Sequence, residues 1–526
     1  MKVNVKKILA EIWIYVILLV WMVFAISLKK NYQMDEIYSY GLANNVGQTA
    51  IHPDFAPYTY ENPADAFLEY MVVEDGEPFS IKNVWYNQER ESSPPFYYLA
   101  VYLVCFWFKE RFTRWSAATV NLVFIVLAMI MFRKILKHFN IKGKELNLYS
   151  IFFMISPAII NNVVLFRMYT MFLFEALFLT YLILHYHRKE NWKFYVLMIV
   201  GSVLGVLTHY YMIFFVFFLS LIYGISLLLD KEWKKAGKYI LSMGIAGALS
   251  YLIFPGMIHH LFVAGRGAEG IENLQGSLEA HLTQLGKYLS ILNREFFGYR
   301  FKYFAILMIL LVCIGLFIKR KVIKENHIAS IDSNKIWDII LLVVPSILYI
   351  IMIAKVAPYS VDRYVMGTFG IIIIVFLLVI KNVLNLCLEN KKIVKNVAMT
   401  ALCLATLISI NQEFHISYLY LGDEEFLNTM ESYSDVDALC VTSEGWRISG
   451  NFNDMIKLNS LTFFRNEIDT LEQMENLKTK DEYILYVVDN DAETIINRIY
   501  EICPQINAYE EIGKADVAYI YHLYAE

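Results

Sequence analysis

The sequence predicts a mainly α, polytopic membrane helical bundle with a small α/β soluble domain at its C-terminal end. Three observations carry this. Of 526 residues, 57% are hydrophobic and only 18% are charged, with a mean hydropathy of +0.45. Apolar runs of about 20 residues, the length that crosses a hydrocarbon core, recur as far as residue 410. After Gln412 the composition becomes that of a soluble chain. The net charge of −4 implies no nucleic-acid partner.

The N-terminal stretch MKVNVKKILAEIWIYVILLVWMVFAIS has an apolar part too long for a signal peptide, and no A-x-A-like site follows. It reads as an uncleaved first span with its N-terminus inside. Further spans are expected near 115–133, 148–165, 168–186, 194–208, 210–229, 238–258, 303–318, 336–354, 364–380 and 396–410. With 8–28 these make eleven. The segment PPFYYLAVYLVCFWF, 94–108, is apolar but short. If it is left out, the basic loops 133–144, 188–193, 231–238, 319–335 and 381–395 fall on one side with Lys2, Lys6 and Lys7. Counting it as a span destroys that agreement, so the positive-inside rule favours a helix lying in the outer interface or dipping into it, with Pro94 and Pro95 in its first turn.

This topology gives a membrane domain, 1–410, with outer loops at 29–113 and 259–302, and an extracytoplasmic domain, 411–526. The first loop holds twelve Asp and Glu against six Lys and Arg. The second opens with GRGAEGIENLQG, read as flexible. It continues with Leu278, Leu282, Leu285, Leu289, Leu292 and Phe296 at helical spacing, a stripe for packing on the protein or membrane surface. In the C-terminal domain, strands are expected at 437–443, 460–464, 482–489 and 516–524, with helices at 467–477 and 493–502. No phosphate-binding glycine loop accompanies them. The six cysteines (Cys105, Cys313, Cys387, Cys403, Cys440 and Cys503) lack metal-ligand spacing and read as small apolar residues. A Cys440–Cys503 disulfide is the alternative, without support in the spacing.

Polar residues at span ends are costly and therefore informative. Four groups converge on the outer face. Asp35 and Glu36 follow span 1. Arg167 and Tyr169 lie between spans 3 and 4. Thr208, His209 and Tyr210 lie between spans 5 and 6. Lys355, Asp362, Arg363 and Tyr364 lie between spans 9 and 10. Carboxylates, cations and tyrosines at one level suit transfer of a sugar from a lipid phosphate. The cations hold the phosphate, a carboxylate serves as base, and tyrosines stack on sugar rings. Each group also has a plainer reading. The acidic pair suits a solvated loop, the arginines suit lipid head-group anchors, and His209 suits a structural hydrogen bond. Glu175, inside span 4, suits either a polar partner in the bundle or a site. Asn161 and Asn162 read as turn and capping residues.

The motifs MDEIYSYG (34–41), SPPFYYLAVYL (93–103), SPAIINNVVLFRMYTMFLFEAL (156–177), THYYMIFF (208–215) and DRYVMG (362–367) occur in that order. This ordered set resembles the C-type (GT-C) membrane glycosyltransferases. The similarity is strongest to the branch of protein mannosyltransferases, aminoarabinose transferases and related bacterial enzymes, and it covers roughly residues 1–380. The resemblance implies a polyprenyl-phosphate sugar donor, with Asp35 as catalytic base and Glu36 beside it. Arg167 and Arg363 would hold the lipid phosphate, and Lys355 is a weaker match. Tyr38, Tyr169, His209, Tyr210 and Tyr364 would bind substrate. The acceptor (glycan, lipid or protein) is left open. So is a divalent metal ion, to which His52 and Asp54 could contribute beside the acidic pair. Cell-membrane localisation follows from the same reading. A lipid-linked-sugar flippase and a non-catalytic envelope scaffold are the rivals.

Overall fold

The structure, a computed structural model, describes residues 5–187, 191–263, 265–325, 333–388, 391–413 and 416–526. Lys2, residues 188–190 and 326–332 of two basic loops, and residues 389–390 of a third lie outside these. Each of the eleven expected spans coincides with a helix or a bent helix pair. Among the described residues, eight helices are long and apolar enough to cross a membrane. The pair Gly143–Ile155 and Pro157–Val164, bent by 53°, would make a ninth. The bend has a chemical cause. Pro157 lacks an N–H and sits at the first position of the second helix, where none is needed. The carbonyls of Val163 and Leu165, where that helix runs out, accept from Asn121 Nδ2 at 2.9 Å each.

The helix Phe96–Cys105 has ten residues, so it reaches about 15 Å, half a hydrocarbon core. Pro95 caps it rather than entering its first turn. In the stretch 259–302 the structure corrects the sequence reading. The stretch expected to be flexible is a helix, Gly265–Leu274. It lies so close to the preceding helix Met257–Phe262 that a Cβ at Gly267 would fall 2.0 Å from the His260 carbonyl oxygen. The leucine stripe rides on the helix Leu278–Phe297. Leu285, Leu292 and Phe296 pack inward, while Leu278, Leu282 and Leu289 stay exposed.

The C-terminal domain holds one sheet built from β1 (Thr59–Tyr60), β2 (Asp437–Thr442), β3 (Ser460–Arg465), β4 (Glu482–Val487), β5 (Ala508–Ala515) and β6 (Ala518–Tyr524). Their order is β1-β3-β2-β4-β6-β5, with β2 parallel to β3 and to β4. The strand β1 comes from the stretch 29–113, between the first two long apolar helices, and pairs antiparallel with β3. The expected helix at 467–477 is instead a 3-10 turn, Asp469–Gln473, and a four-residue helix, Glu475–Lys478. Strand alternation divides two cores. Ala438, Cys440, Leu461, Phe463, Ile484 and Tyr486 face a core continuous with the helical bundle. Leu439, Val441, Phe464, Leu485 and Val487 face the helix Ala492–Ile502. Cys440 and Cys503 therefore belong to different cores, and all six cysteines are unbridged.

In the short helix Phe452–Met455, Asp454 is fully buried and accepts from Asn451 Nδ2 at 3.1 Å. Burial pushes its carboxyl up to about 7. Between the ordinary aspartate range and pH 7, the folded chain holds a proton that the unfolded chain has lost. Stability of this sheet is expected to fall as pH rises from about 4 to about 7, then to level off. Asp454→Asn is expected to flatten the slope. Amide protection factors of β3 and β4, measured in the full chain across that range, check this.

Candidate active site

The first span ends at Ser27, and the helix Met34–Asn44 begins seven residues later. Neighbouring helix positions point about 100° apart, so the acidic pair at the start of this helix is split. Glu36 turns inward and is completely buried. Its Oε2 lies 3.0 Å from Lys29 Nζ and accepts from the Gln33 backbone N–H at 2.7 Å. Its Oε1 accepts from the Phe166 N–H at 2.7 Å. Asp35 turns the other way, and its Oδ2 lies 2.9 Å from Arg363 Nη1. Burial alone would raise the Asp35 carboxyl. The guanidiniums of Arg167, Arg363 and Arg266 outweigh that and hold it below the usual aspartate range.

Arg167 follows the broken span. Its Nη1 donates to the Asp35 carbonyl at 3.0 Å, Ser39 Oγ at 3.2 Å and Tyr98 OH at 3.1 Å. One guanidinium thus ties together the turn, the helix Met34–Asn44 and the helix Phe96–Cys105. Arg363 lies in the 3-10 turn Asp362–Tyr364. Arg167 Nε, Arg363 Nε and Tyr364 OH are buried and have no hydrogen-bond partner among the described residues. Burying donors without partners is costly, so the region around Arg167 and Tyr364 suits an anion.

That region adjoins a cavity of about 310 Å³. Arg167, Tyr169, His209, Tyr210 and Tyr364 line it, so five of the residues singled out in the sequence meet there. Asp35 and Arg363 are not among the lining residues; they form an ion pair, and the Asp35 carbonyl accepts from the lining residue Arg167. Lys355, in the last turn of the helix Ser333–Val356, is not among the lining residues. Nor is Tyr38, whose hydroxyl donates to the Trp446 carbonyl at 3.2 Å on the C-terminal side. Tyr210 lines the wall but spends its hydroxyl on His260 Nδ1 at 2.7 Å. His209 Nδ1 accepts from the Tyr211 N–H at 3.0 Å, which leaves the proton on Nε2. Burial, reinforced by Arg167, Arg266 and Arg363, pushes this imidazole down to about 3, so it is a neutral donor.

Glu175 accepts from Thr208 Oγ1 at 2.7 Å, which gives it a polar partner within the bundle. Asn161 and Asn162 are not turn or capping residues. Both are buried within the helix Pro157–Val164 and tie it outward, Asn161 Oδ1 to the Tyr418 N–H and Asn162 Nδ2 to the Met366 carbonyl. His52 is exposed, and so is Asp54, whereas Glu36 is buried. Among the described residues, no group of three or more His, Cys, Asp and Glu side chains is placed to hold a metal ion.

The immediate neighbours of the three charged site residues share one network. Tyr418 OH donates to Asp362 Oδ1 at 2.6 Å, and the Arg363 N–H donates to the same oxygen at 2.7 Å. Asp362 Oδ2 lies 3.0 Å from Arg294 Nη2. The Tyr418 carbonyl accepts from Lys29 Nζ at 2.7 Å, and Lys29 leads to Glu36 and so to Phe166. Asp35, Arg167 and Arg363 are each one residue from a clamped partner. Tyr418 belongs to the segment entering the C-terminal domain, so that domain helps hold the site.

No family model matches the chain, and no curated protein matches it. Among solved structures it is similar to ArnT from Cupriavidus metallidurans bound to undecaprenyl phosphate, at TM-score 0.50 and 8% identity. That match covers 99% of this chain and 98% of the other. The chain has an ArnT-like GT-C fold. The apo ArnT structure from the same organism aligns at TM-score 0.40 and 10% identity over the same shares. The likeness to ArnT runs through the C-terminal domain, beyond the residues that the sequence motifs cover. Within this ArnT-like frame, sequence reasoning missed Arg266, which lines the cavity from the helix Gly265–Leu274. A signal was present: it is the first cation after the apolar run near 238–258.

Proposed function

We propose that this protein is an integral-membrane glycosyltransferase that moves a sugar from a polyprenyl-phosphate carrier to an acceptor hydroxyl on the outer face. The observation carrying this reading is an aromatic-walled cavity lined by Arg167 and Arg266, with the Asp35–Arg363 ion pair joined to Arg167 through the Asp35 carbonyl. ArnT in the similar structure binds undecaprenyl phosphate, and a lipid phosphate suits the cations here. Arg167, Arg266 and Arg363 hold the phosphate and stabilise it as it leaves. Tyr169, Tyr364 and the Nε2–H of His209 contact the sugar or phosphate. Tyr210 contributes its ring, and Tyr38 acts on the acceptor side next to the C-terminal domain. Lys355 takes no direct part.

Asp35 accepts the acceptor's proton as its oxygen bonds to the anomeric carbon and the carbon–phosphate oxygen bond breaks. A carboxylate held below the ordinary range is a weak base. Proton transfer therefore accompanies bond formation, when the attacking hydroxyl becomes acidic. The single displacement inverts the anomeric configuration. Glu36 positions the site and is not the base, because both its oxygens are bonded in the interior. The acceptor is a glycolipid, wall polymer or protein.

Purified protein in lipid nanodiscs is expected to consume one of a panel of polyprenyl-phosphate sugars. Movement of intact donor across the bilayer without consumption would replace this reading with the flippase. Arg266→Gln is expected to weaken undecaprenyl phosphate binding by about 2 kcal/mol, about thirtyfold. Titration calorimetry measures this, and wild-type affinity in the variant would remove Arg266 from the phosphate site.

A further inference from the structure

A second cavity, of about 210 Å³, lies at the opposite end of the bundle. Chain geometry sets the separation. Lys144 is in the first turn of the helix Gly143–Ile155, which runs toward Arg167. Lys381 is in the second half of the helix Phe369–Leu388, which starts beside Tyr364. Lys395 is in the first turn of the helix Lys392–Glu413, which runs toward Tyr418. Each lysine is therefore displaced from the first cavity by most of a helix, about 18 Å or more at 1.5 Å per residue.

Three helices bring three ammonium groups to one concavity. Lys381 Nζ lies 3.4 Å from Glu145 Oε1, which also accepts from Tyr149 OH at 2.9 Å. Lys395 donates to Asn385 Oδ1 at 2.8 Å, a neutral partner that leaves its charge uncompensated. Lys144 is exposed at the rim. Among the described residues lining it, one carboxylate stands against three ammoniums, which makes the site net positive. Leu148, Leu384 and Met399 make its inner wall apolar. Beside Lys395, the outward face of its helix carries Ile393 and Val397, 80% and 64% exposed, a surface suited to acyl chains.

We propose that this cavity binds the headgroup of an anionic phospholipid. The phosphodiester accepts from Lys144 and Lys395, and the acyl chains lie along Ile393 and Val397. A positive pocket between spanning helices attracts anionic headgroups, each lysine near the surface strengthening binding about fivefold. The apolar wall and the adjoining lipid-facing helix favour a lipid over a free anion. The proposal does not depend on the chemistry assigned to the first cavity.

The test places the full chain in nanodiscs of phosphatidylcholine and phosphatidylglycerol and reads retained lipid by native mass spectrometry. Wild type is expected to retain phosphatidylglycerol preferentially. Lys144→Gln with Lys395→Gln, which spares the Lys381–Glu145 pair, is expected to lower that retention about twenty-five-fold. Lys144→Gln alone changes an exposed residue and is expected to give about a fivefold loss in a folded chain. Arg266→Gln, at the other cavity, is expected to leave the lysine-dependent retention in place. Equal retention of the two lipids by wild type would overturn the proposal, and so would undiminished retention in both lysine variants. Displacement of the lipid by millimolar inorganic phosphate would assign the pocket to a free anion and overturn it as well.

Discussion

Asp35→Asn is expected to lower sugar transfer by about 10²–10⁴-fold while leaving the fold intact, the range for losing a positioned general base. Asparagine keeps the shape of aspartate, and its side-chain oxygen can still accept from Arg363. The negative charge goes, and with it the proton acceptor. The loss should fall on kcat. Removing the carboxylate frees part of the positive field of Arg363 for the donor phosphate, so the donor KM should stay level or drop. Steady-state kinetics with varied donor separates these terms. An unchanged kcat would move the base elsewhere.

The pH profile supplies an independent reading of the same residue. The three guanidiniums hold the Asp35 carboxyl below its usual range, so the acid limb of kcat/KM should lie lower than an ordinary aspartate would place it. His209 should add no limb near pH 6.5, because burial and the same arginines keep it neutral. A limb near neutrality abolished by His209→Gln would contradict that assignment.

The spans were legible because hydropathy is local: about 20 apolar residues announce themselves without any partner. The levels of Arg167, His209 and Arg363 followed from the spans by counting. What required three dimensions was direction. Asp35 and Glu36 are equivalent as a dipeptide, and only the helix beginning at Met34 turns one to Arg363 and the other to Lys29. Arg266 was hidden by its glycines, which suggested a flexible loop. In the fold, Gly267 lets two short helices touch and so fixes the arginine on the wall. Strand β5 is an edge strand, AYEEIGKA, largely solvent-facing and with weak alternation. Strand β1 has two residues, too few for any pattern, and exists because β3 is there to pair with it.

Lys29→Met is expected to destabilise the protein by about 3–5 kcal/mol, the largest stability loss of any single change discussed. Lys29 and Glu36 are both almost entirely buried, with 3.0 Å between nitrogen and oxygen. The variant leaves a carboxylate in the interior with two backbone donors and no cation. It also releases the Tyr418 carbonyl that Lys29 Nζ had bonded. Lys29→Met with Glu36→Gln should recover much of the loss, since no charge is then stranded. It should not recover all of it, because one amide oxygen cannot replace the two carboxylate oxygens that accept from Gln33 and Phe166. Thermal unfolding in nanodiscs, read for both singles and the double, gives the coupling between the two residues. Strong coupling means the pair acts as one buried unit. Additive effects would mean that each side chain is held independently, and Lys29 would then have no hold on Arg167 through Glu36. Residual transfer activity in the folded double variant carries the argument to the site. If the clamp positions Arg167 through Phe166, activity stays depressed after stability returns. If activity returns with stability, the pair serves the fold alone.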